Sequence, residues 1–187
     1  SGTLASGDIL YGSVNNGSNW TNITSKVSGT AISWNGATLS GSDNIVFKIT
    51  DAAGNDSSTT GSTAYVLDTT APTLTVSSVS LSADTGTSST DEITKTASQT
   101  ISGTLSGTLA SGDILYGSVN NGSSWTDITS KVGSGDTAIS WDGATLSGSN
   151  NIVFKITDGT GNDSSTTGTT AYVLDTTAPT LTVSSVS

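Results

Sequence analysis

Along residues 151–157 the sequence NIVFKIT sets Ile152, Phe154 and Ile156 on one side and Val153 and Lys155 on the other. This period-two alternation predicts a β-strand with one face turned to a core. Six further runs accompany it. Thr73 to Ser80 alternates Leu74 and Val76 and regains phase at Val79 after a one-residue slip, Ala97 to Leu105 predicts a second strand, and Ile114 to Val119 a third. Trp125 to Val132 is a fourth, anchored by Trp125 and Ile128, and Thr137 to Trp141 a short fifth. The last run, TTAYVLD at 169–175, separates Ala171, Val173 and Asp175 from Tyr172 and Leu174.

Turn formers punctuate these runs: Gly112-Asp113, the hairpin signal Asn120-Asn121-Gly122, DGATLSGSNN with only Leu146 apolar enough for the interior, and DGTGNDSSTT. LSADTGTSSTDEITKT at 81–96 is too polar to be a strand throughout and reads as a long acidic loop. Seven short strands with no room for a helix predict an all-β, immunoglobulin-like Greek-key β-sandwich.

The pattern is printed more than once. Ser1 to Val27 matches Ser106 to Val132 with two changes, and Thr30 to Ser80 matches Thr137 to Ser187 with five, while Ser28-Gly29 is replaced by Gly133-Ser134-Gly135-Asp136. A period of 105 to 107 residues is far beyond a propeller blade or solenoid unit and suits tandem whole domains. DTTAPTLTVSSVS, at 68–80 and again at 175–187, holds the only two prolines and reads as the joint between modules. The expected organisation is an incomplete repeat at 1–68 that lacks its first two strands, a complete repeat at 69–175, and the first strand of a third at 176–187. The chain then reads as a window cut from an array.

Composition narrows the chemistry. There is no Cys for a disulfide or thiolate metal site and no His for general-base work. Five lysines against fifteen acids, a net charge of -10, argue against nucleic acid as a partner. No apolar run reaches the ~20 residues of a spanning helix, so membrane insertion is not expected. Asp91-Glu92 lacks the separated second carboxylate and apolar pocket of a glycosidase, and no catalytic constellation is found.

The acids themselves fall between predicted strands. In a sandwich whose connections alternate between ends, Asp113, Asp136, Asp158 and Asp163 gather at the upstream end beside the previous module's Asp68, and Asp84, Asp91, Glu92 and Asp142 at the downstream end beside Asp175. Two unit charges ~4 Å apart near a protein surface repel by about 4 kcal/mol, so a cluster of this kind calls for neutralisation. The lysines are few, and Lys131 and Lys155 fall in or beside strands. Ca²⁺ suits an all-oxygen site better than Mg²⁺, which holds its waters and octahedral geometry. DGTGND offers Asp158, Asn162 and Asp163, and its twin offers Asp51, Asn55 and Asp56, while Asp8 repeats Asp113. Any single Asp here is as readily a solvated turn residue as a ligand. Trp20 and Trp125 read as core or rim packing first and as sugar platforms second. Asn22 against Asp127 reads as surface drift, whereas Asn35 and Asp43 exchange with Asp142 and Asn150 so that the acid count of that loop is kept.

The joint DTTAP, the acidic DTGTSSTDEIT, the ASGDILYGSVNNGSSW hairpin and the NIVFKIT strand with its following DxxGN-type loop together resemble the bacterial immunoglobulin-like extender repeats of giant RTX adhesins. The resemblance implies an extracellular stalk on a bacterial cell surface, stiffened by calcium at its joints, with Asp68 and Asp175 as linker ligands and Asp84, Asp91, Asp158 and Asp163 as their companions. The expected partners are neighbouring repeats. Two alternatives stay open: a glycan- or protein-binding module, and a filament in which Thr180 to Ser187 of another chain completes the truncated repeat.

Overall fold

In the computed structural model, which describes residues 2–184, Ile152, Phe154 and Ile156 are wholly buried, as their alternation requires. The strand that carries them is flanked on both edges, and the flanking strands recur in two units, Ser1–Thr69 and Thr70–Ser187. The first unit contains β1 (Ile9–Ser13), β2 (Thr21–Asn22), β3 (Val27–Ser28), β4 (Ala31–Ile32), β5 (Ser42–Thr50) and β6 (Thr60–Val66). The second contains β7 (Val76–Leu81), β8 (Ile93–Thr94), β9 (Ser98–Leu105), β10 (Ile114–Ser118), β11 (Thr126–Asp127), β12 (Ala138–Thr145), β13 (Ser149–Thr157) and β14 (Thr167–Leu174).

The second unit is a two-sheet sandwich. One sheet runs β11-β10-β13-β14-β8 and the other β12-β9-β7. All pairings are antiparallel except β8 on β14. The chain crosses from one sheet to the other between β7 and β8 and returns at β9, which makes the acidic loop 82–97 a strap across the sandwich. Between the sheets lie Ile101 and Leu105 of β9, Val76 and Leu81 of β7, and Ile139 and Trp141 of β12, against Leu115, Ile152, Phe154, Ile156 and Tyr172. Each such side chain fully buried stabilises the fold by ~1.5–3 kcal/mol. The Trp141 ring meets Phe154 edge-on, centroids 6.3 Å apart, and lies so close over β10 that a β-carbon at Gly117 would fall 2.5 Å from it. Only glycine fits there.

Several local expectations hold in detail. The slip after Val76 is a β-bulge: Ser78 sits at φ +52 and the register to β9 shifts between Ser77 and Ser80. Asn121 and Gly122 take positive φ at the expected hairpin turn. Others are corrected. The fourth strand is only Thr126–Asp127, because the Asp127 carboxylate accepts the backbone N–H and hydroxyl of Thr129 and folds the chain into a one-turn 3-10 helix at Thr129–Lys131. Thr24–Lys26 repeats that turn with Asn22 in the same role, so the Asn22/Asp127 difference conserves an oxygen acceptor and is not drift. The acidic loop contains the short strand β8. Residues 176–184, expected to open a third repeat, carry no regular secondary structure, and residues 185–187 of that expectation lie outside the described residues.

In the first unit β1 pairs with β5 and β5 with β6 in the registers of β10, β13 and β14, from Ile9↔Thr50 against Ile114↔Thr157 onward. Among its described residues it has no counterparts of β7, β8 and β9, three strands where two were expected. The consequence falls on the fifth predicted strand. AISWDGAT forms all of β12 against β9, whereas AISWNGAT, one residue different, pairs only at Ala31–Ile32, with β3. Ile139 is 2% exposed and its twin Ile32 is 42% exposed.

These twins predict unequal mutational costs. Ile139→Ala should destabilise the second unit by about 2–4 kcal/mol, and Ile32→Ala should change the stability of the chain by no more than about 0.5 kcal/mol, read from urea denaturation midpoints.

Candidate metal centre

The strap 82–97 is held at its base by one buried side chain. Gln99 accepts the Ala83 N–H (2.9 Å) and the Ser82 hydroxyl (3.1 Å) through Oε1, and donates through Nε2 to the carbonyls of Ala83 (3.0 Å) and Thr96 (2.8 Å). The buried Thr94 hydroxyl donates to the same Ala83 carbonyl at 2.6 Å. With both ends pinned, β8 can lie parallel to β14: the Val173 N–H donates to the Glu92 carbonyl (3.0 Å) and the Asp175 N–H to the Thr94 carbonyl (2.9 Å). The acidic strap is thereby fastened to the residues that lead into the joint.

Glu92 occupies this bend at φ +58, a conformation costly for a residue with a β-carbon. Its N–H is taken by Asp84 Oδ2 (3.1 Å), and Asp91 Oδ1 accepts the Ile93 N–H (3.2 Å). Two oxygens remain: Asp84 Oδ1 and Glu92 Oε2 are shut away from solvent with no hydrogen-bond donor. Burial pushes the Glu92 carboxyl above the usual carboxylate range, the Leu81 N–H opposes the push, and the charges of Asp84 and Asp91 add to it. Shielded carboxylate oxygens without donors require a proton, a cation or a bridging water. Both are hard oxygen donors of the type that Ca²⁺ takes. Among the described residues no three acidic side chains converge to hold an ion by themselves, so a full shell would draw on carbonyls, amides or water. Glu92 was not among the sequence-predicted ligands. Its signal was its place in TDEIT, between the acids and the apolar residue that returns the chain to the sheet.

The other acids have local partners. Asp158 accepts from Asn162 and Thr160, side chain and backbone alike, and these bonds hold its carboxyl well below the usual range. Asp51 is lowered in the same way by Asn55 and the following N–H groups. Asp163 meets Lys155 at 2.7 Å and Thr157 at 2.6 Å, Asp56 meets Lys48 at 2.6 Å and Thr50 at 2.6 Å, and both are lowered by those contacts. Lys131 pairs with Asp142, whose carboxyl it also lowers. Three of the five lysines, Lys48, Lys131 and Lys155, therefore neutralise acids although they stand in or beside strands, because each side chain reaches over to a neighbouring loop or strand. Asp8 and Asp113 accept the N–H groups of Ala5 and Ala110, each at 3.1 Å.

Of the upstream group, Asp113 and Asp136 line one cleft, the Gly112 turn abuts Gly159 next to Asp158, and Asp163 borders the joint residues Ala71–Thr75. Downstream, Asp175 is tied to the Asp84–Glu92 strap through Thr94 while its carboxylate accepts the Thr177 N–H (2.8 Å). Asp68 lies outside any strand at the close of the first unit. Trp125 is packed between Gly122 and Lys155, whose ammonium also lies 5.3 Å from the Tyr116 ring centre. Trp20, Lys48 and Tyr11 repeat the arrangement. Both tryptophans are parts of a rim.

The two-sheet geometry has a counterpart among known families: residues 30–124, just over half of the chain, match the bacterial Ig-like domain (group 3). The chain belongs to that family. The matched stretch begins in the first unit and ends in the second, so it takes in the joint and the strap as well as strands from both. This Ig-like family is one of structural, non-enzymatic modules. No protein with a curated description matches the chain significantly. No helix among the described residues of this Ig-like protein is long and apolar enough to cross a membrane.

The raised Glu92 carboxyl makes a pH prediction of definite sign. The folded state holds that proton more tightly than the unfolded chain, so the contribution is present at low pH and is lost as pH rises through the raised value. The lowered aspartates act oppositely, weakly and at lower pH, since they are exposed. In EDTA, the melting temperature of the second unit should rise as pH falls through that raised value, and Glu92→Gln should stabilise it at pH 7 by about 1 kcal/mol and remove that rise. A Gln variant no more stable than the parent would overturn the assignment.

Proposed function

We propose that this Ig-like chain is a structural extender of a bacterial cell-surface adhesin, a spacer whose joints are stiffened by Ca²⁺. The observation that carries the reading is the pair of shielded, donor-free oxygens, Asp84 Oδ1 and Glu92 Oε2, in a strap bonded to the strand that runs into the joint. Asp84 and Glu92 are the residues that would hold the ion, with Asp91 and Asp175 the nearest further carboxylates along the strap and strand. A bound calcium ion would supply positive charge to these two half-buried carboxylates, each with one shielded oxygen. Asp84 orients the bend through the Glu92 N–H, and β8 transmits the order of the bend to β14 and Asp175. Fixing the strap thus fixes the direction in which the chain leaves the module.

Two further features support the reading. The joint sequence recurs unchanged at both module boundaries, and the resemblance to extender repeats of RTX adhesins extends over essentially the whole chain. Extender modules of this kind work outside the cell, where millimolar calcium is available to sites of modest affinity.

Calcium at a hundredfold excess over its Kd should stabilise the second unit by ~2.7 kcal/mol, seen as a higher melting temperature than in EDTA. Small-angle scattering should show a longer, stiffer particle with calcium. The double variant Asp84→Asn/Glu92→Gln should lose both responses. Identical melting and scattering curves in calcium and EDTA would reject the calcium-stiffened spacer.

A further inference from the structure

Three Asn-Gly pairs occupy turns, at 16–17, 35–36 and 121–122, each with its asparagine exposed. Asparagine is a thermolabile residue, and a following glycine puts no β-carbon in the way when the main-chain nitrogen turns back on the side-chain amide. The three pairs are alike in composition. Their hydrogen bonds are not alike.

Asn121 is held on both atoms of its amide. Its Oδ1 accepts the Asn151 N–H (3.0 Å) and its Nδ2 donates to Asn150 Oδ1 (2.8 Å), while the Gly122 N–H donates to Ser118 Oγ (2.9 Å). At the twin turn the Gly17 N–H keeps its bond to Ser13 Oγ (2.9 Å), but Asp43 stands where the second unit has Asn150 and takes the Asn44 N–H for itself (2.9 Å). The Asn16 amide is left with no hydrogen bond among the described residues. Asn35-Gly36 is freer still: among the described residues neither the Asn35 amide nor the Gly36 N–H is bonded. That freedom belongs to the position rather than to the strands around it. In the second unit, with β9 present, the same positions are Asp142 and Gly143, and they form the bulge between Trp141↔Ile101 and Ala144↔Gln99 that stays out of the ladder. Gly36 and Gly143 both take positive φ, +81 and +76.

We infer that Asn35-Gly36 is a site of spontaneous deamidation, with water as the co-reactant, and that Asn121-Gly122 is protected by its hydrogen bonds. The Gly36 nitrogen gives up its proton and attacks Cγ of Asn35. The new N–Cγ bond closes a cyclic imide, the bond from Cγ to Nδ2 breaks, and that nitrogen takes up a proton and leaves as ammonia. Water then adds to one of the two imide carbonyls and reopens the ring, as an aspartyl or an isoaspartyl link. The sum is one water consumed and one ammonia released, with no change of oxidation state. The aspartyl product copies the second unit, where Asp142 pairs with Lys131; Lys26, the twin of Lys131, has no carboxylate partner among the described residues. The isoaspartyl product instead adds a methylene to the main chain of the turn. The inference is independent of the calcium reading, since neither Asp84 nor Glu92 takes part.

Peptide mapping by mass spectrometry, on the full chain aged in mildly alkaline buffer, reads each pair separately. Tryptic cleavage after Lys26, Lys48, Lys95 and Lys131 leaves Asn16, Asn35 and Asn121 on different peptides. Asn35 should convert at least about tenfold faster than Asn121, whose reaction must break three hydrogen bonds of ordinary net strength, and Asn16 should fall between them. In urea the three rates should converge. Asn150→Asp, which copies the Asp43 arrangement, should bring Asn121 to the rate of Asn16, and Asn35→Gln should leave the peptide 27–48 unchanged in mass on ageing. An Asn35 that reacts no faster than Asn121 in the folded chain overturns the inference. So does a ranking that persists in urea, which would place the difference in the flanking sequence rather than in the hydrogen bonds.

Discussion

A β-sheet with one apolar face is stable only when a second layer covers it, and in this protein the cover is centred on β9. Ile101 and Leu105 of that strand enter the core directly, and its two edges carry β7 and β12. The repeated sequence makes the dependence visible without any mutation. The same strands β10, β13 and β14 recur as β1, β5 and β6 with their registers intact, because their hydrogen bonds are to one another. The segment that should pair with β9 collapses to two residues when β9 is missing. Trp34 nevertheless keeps its edge-on contact with Phe47, centroids 6.5 Å apart, as Trp141 does with Phe154. Local packing onto the sheet survives where the strand ladder does not.

The acids divide along a similar line. Most of them lie in turns that satisfy themselves: an Asp accepts N–H groups two to four residues on, or a lysine reaches across from the neighbouring strand. Such contacts are short in sequence and exposed, so they shape loops and contribute little to stability. Asp84 and Glu92 differ because the strap that carries them is pressed against the sandwich by Gln99, Thr94 and the β8–β14 pairing. Burial, rather than the number of carboxylates, singles out this pair. The same fastening connects the bend to Val173 and Asp175, the residues that lead into the joint sequence.

Much of the fold was legible in the order of residues. The alternation in NIVFKIT, the slip in TLTVSSVS and the Asn-Asn-Gly turn each follow from local stereochemistry, and each appears where expected. The fourth strand was misread because Trp125 and Ile128 alternate plausibly, while the competing bond from Asp127 to Thr129 is a side-chain choice that hydrophobic patterning ignores. The ion pairs Lys155–Asp163 and Lys48–Asp56 were missed because the partners lie eight residues apart across a loop whose path is not written in its composition. Glu92 is placed in the downstream acid cluster by the sequence but not singled out as a ligand, because its shielding depends on a parallel contact with β14, some eighty positions away.

By itself the sequence determined the strands, their phases, the period of the repeat and the position of the joint, since these depend on neighbours within a few residues and on comparison of the chain with itself. Tertiary structure alone decided which strands survive and which acids matter. Two nearly identical segments fold differently according to whether a central strand lies beside them. Of fifteen acidic side chains, the two left with donor-free buried oxygens are those enclosed by a long-range pairing. Burial and ladder formation are properties of segments distant in the chain, and composition carries no record of which of them will meet.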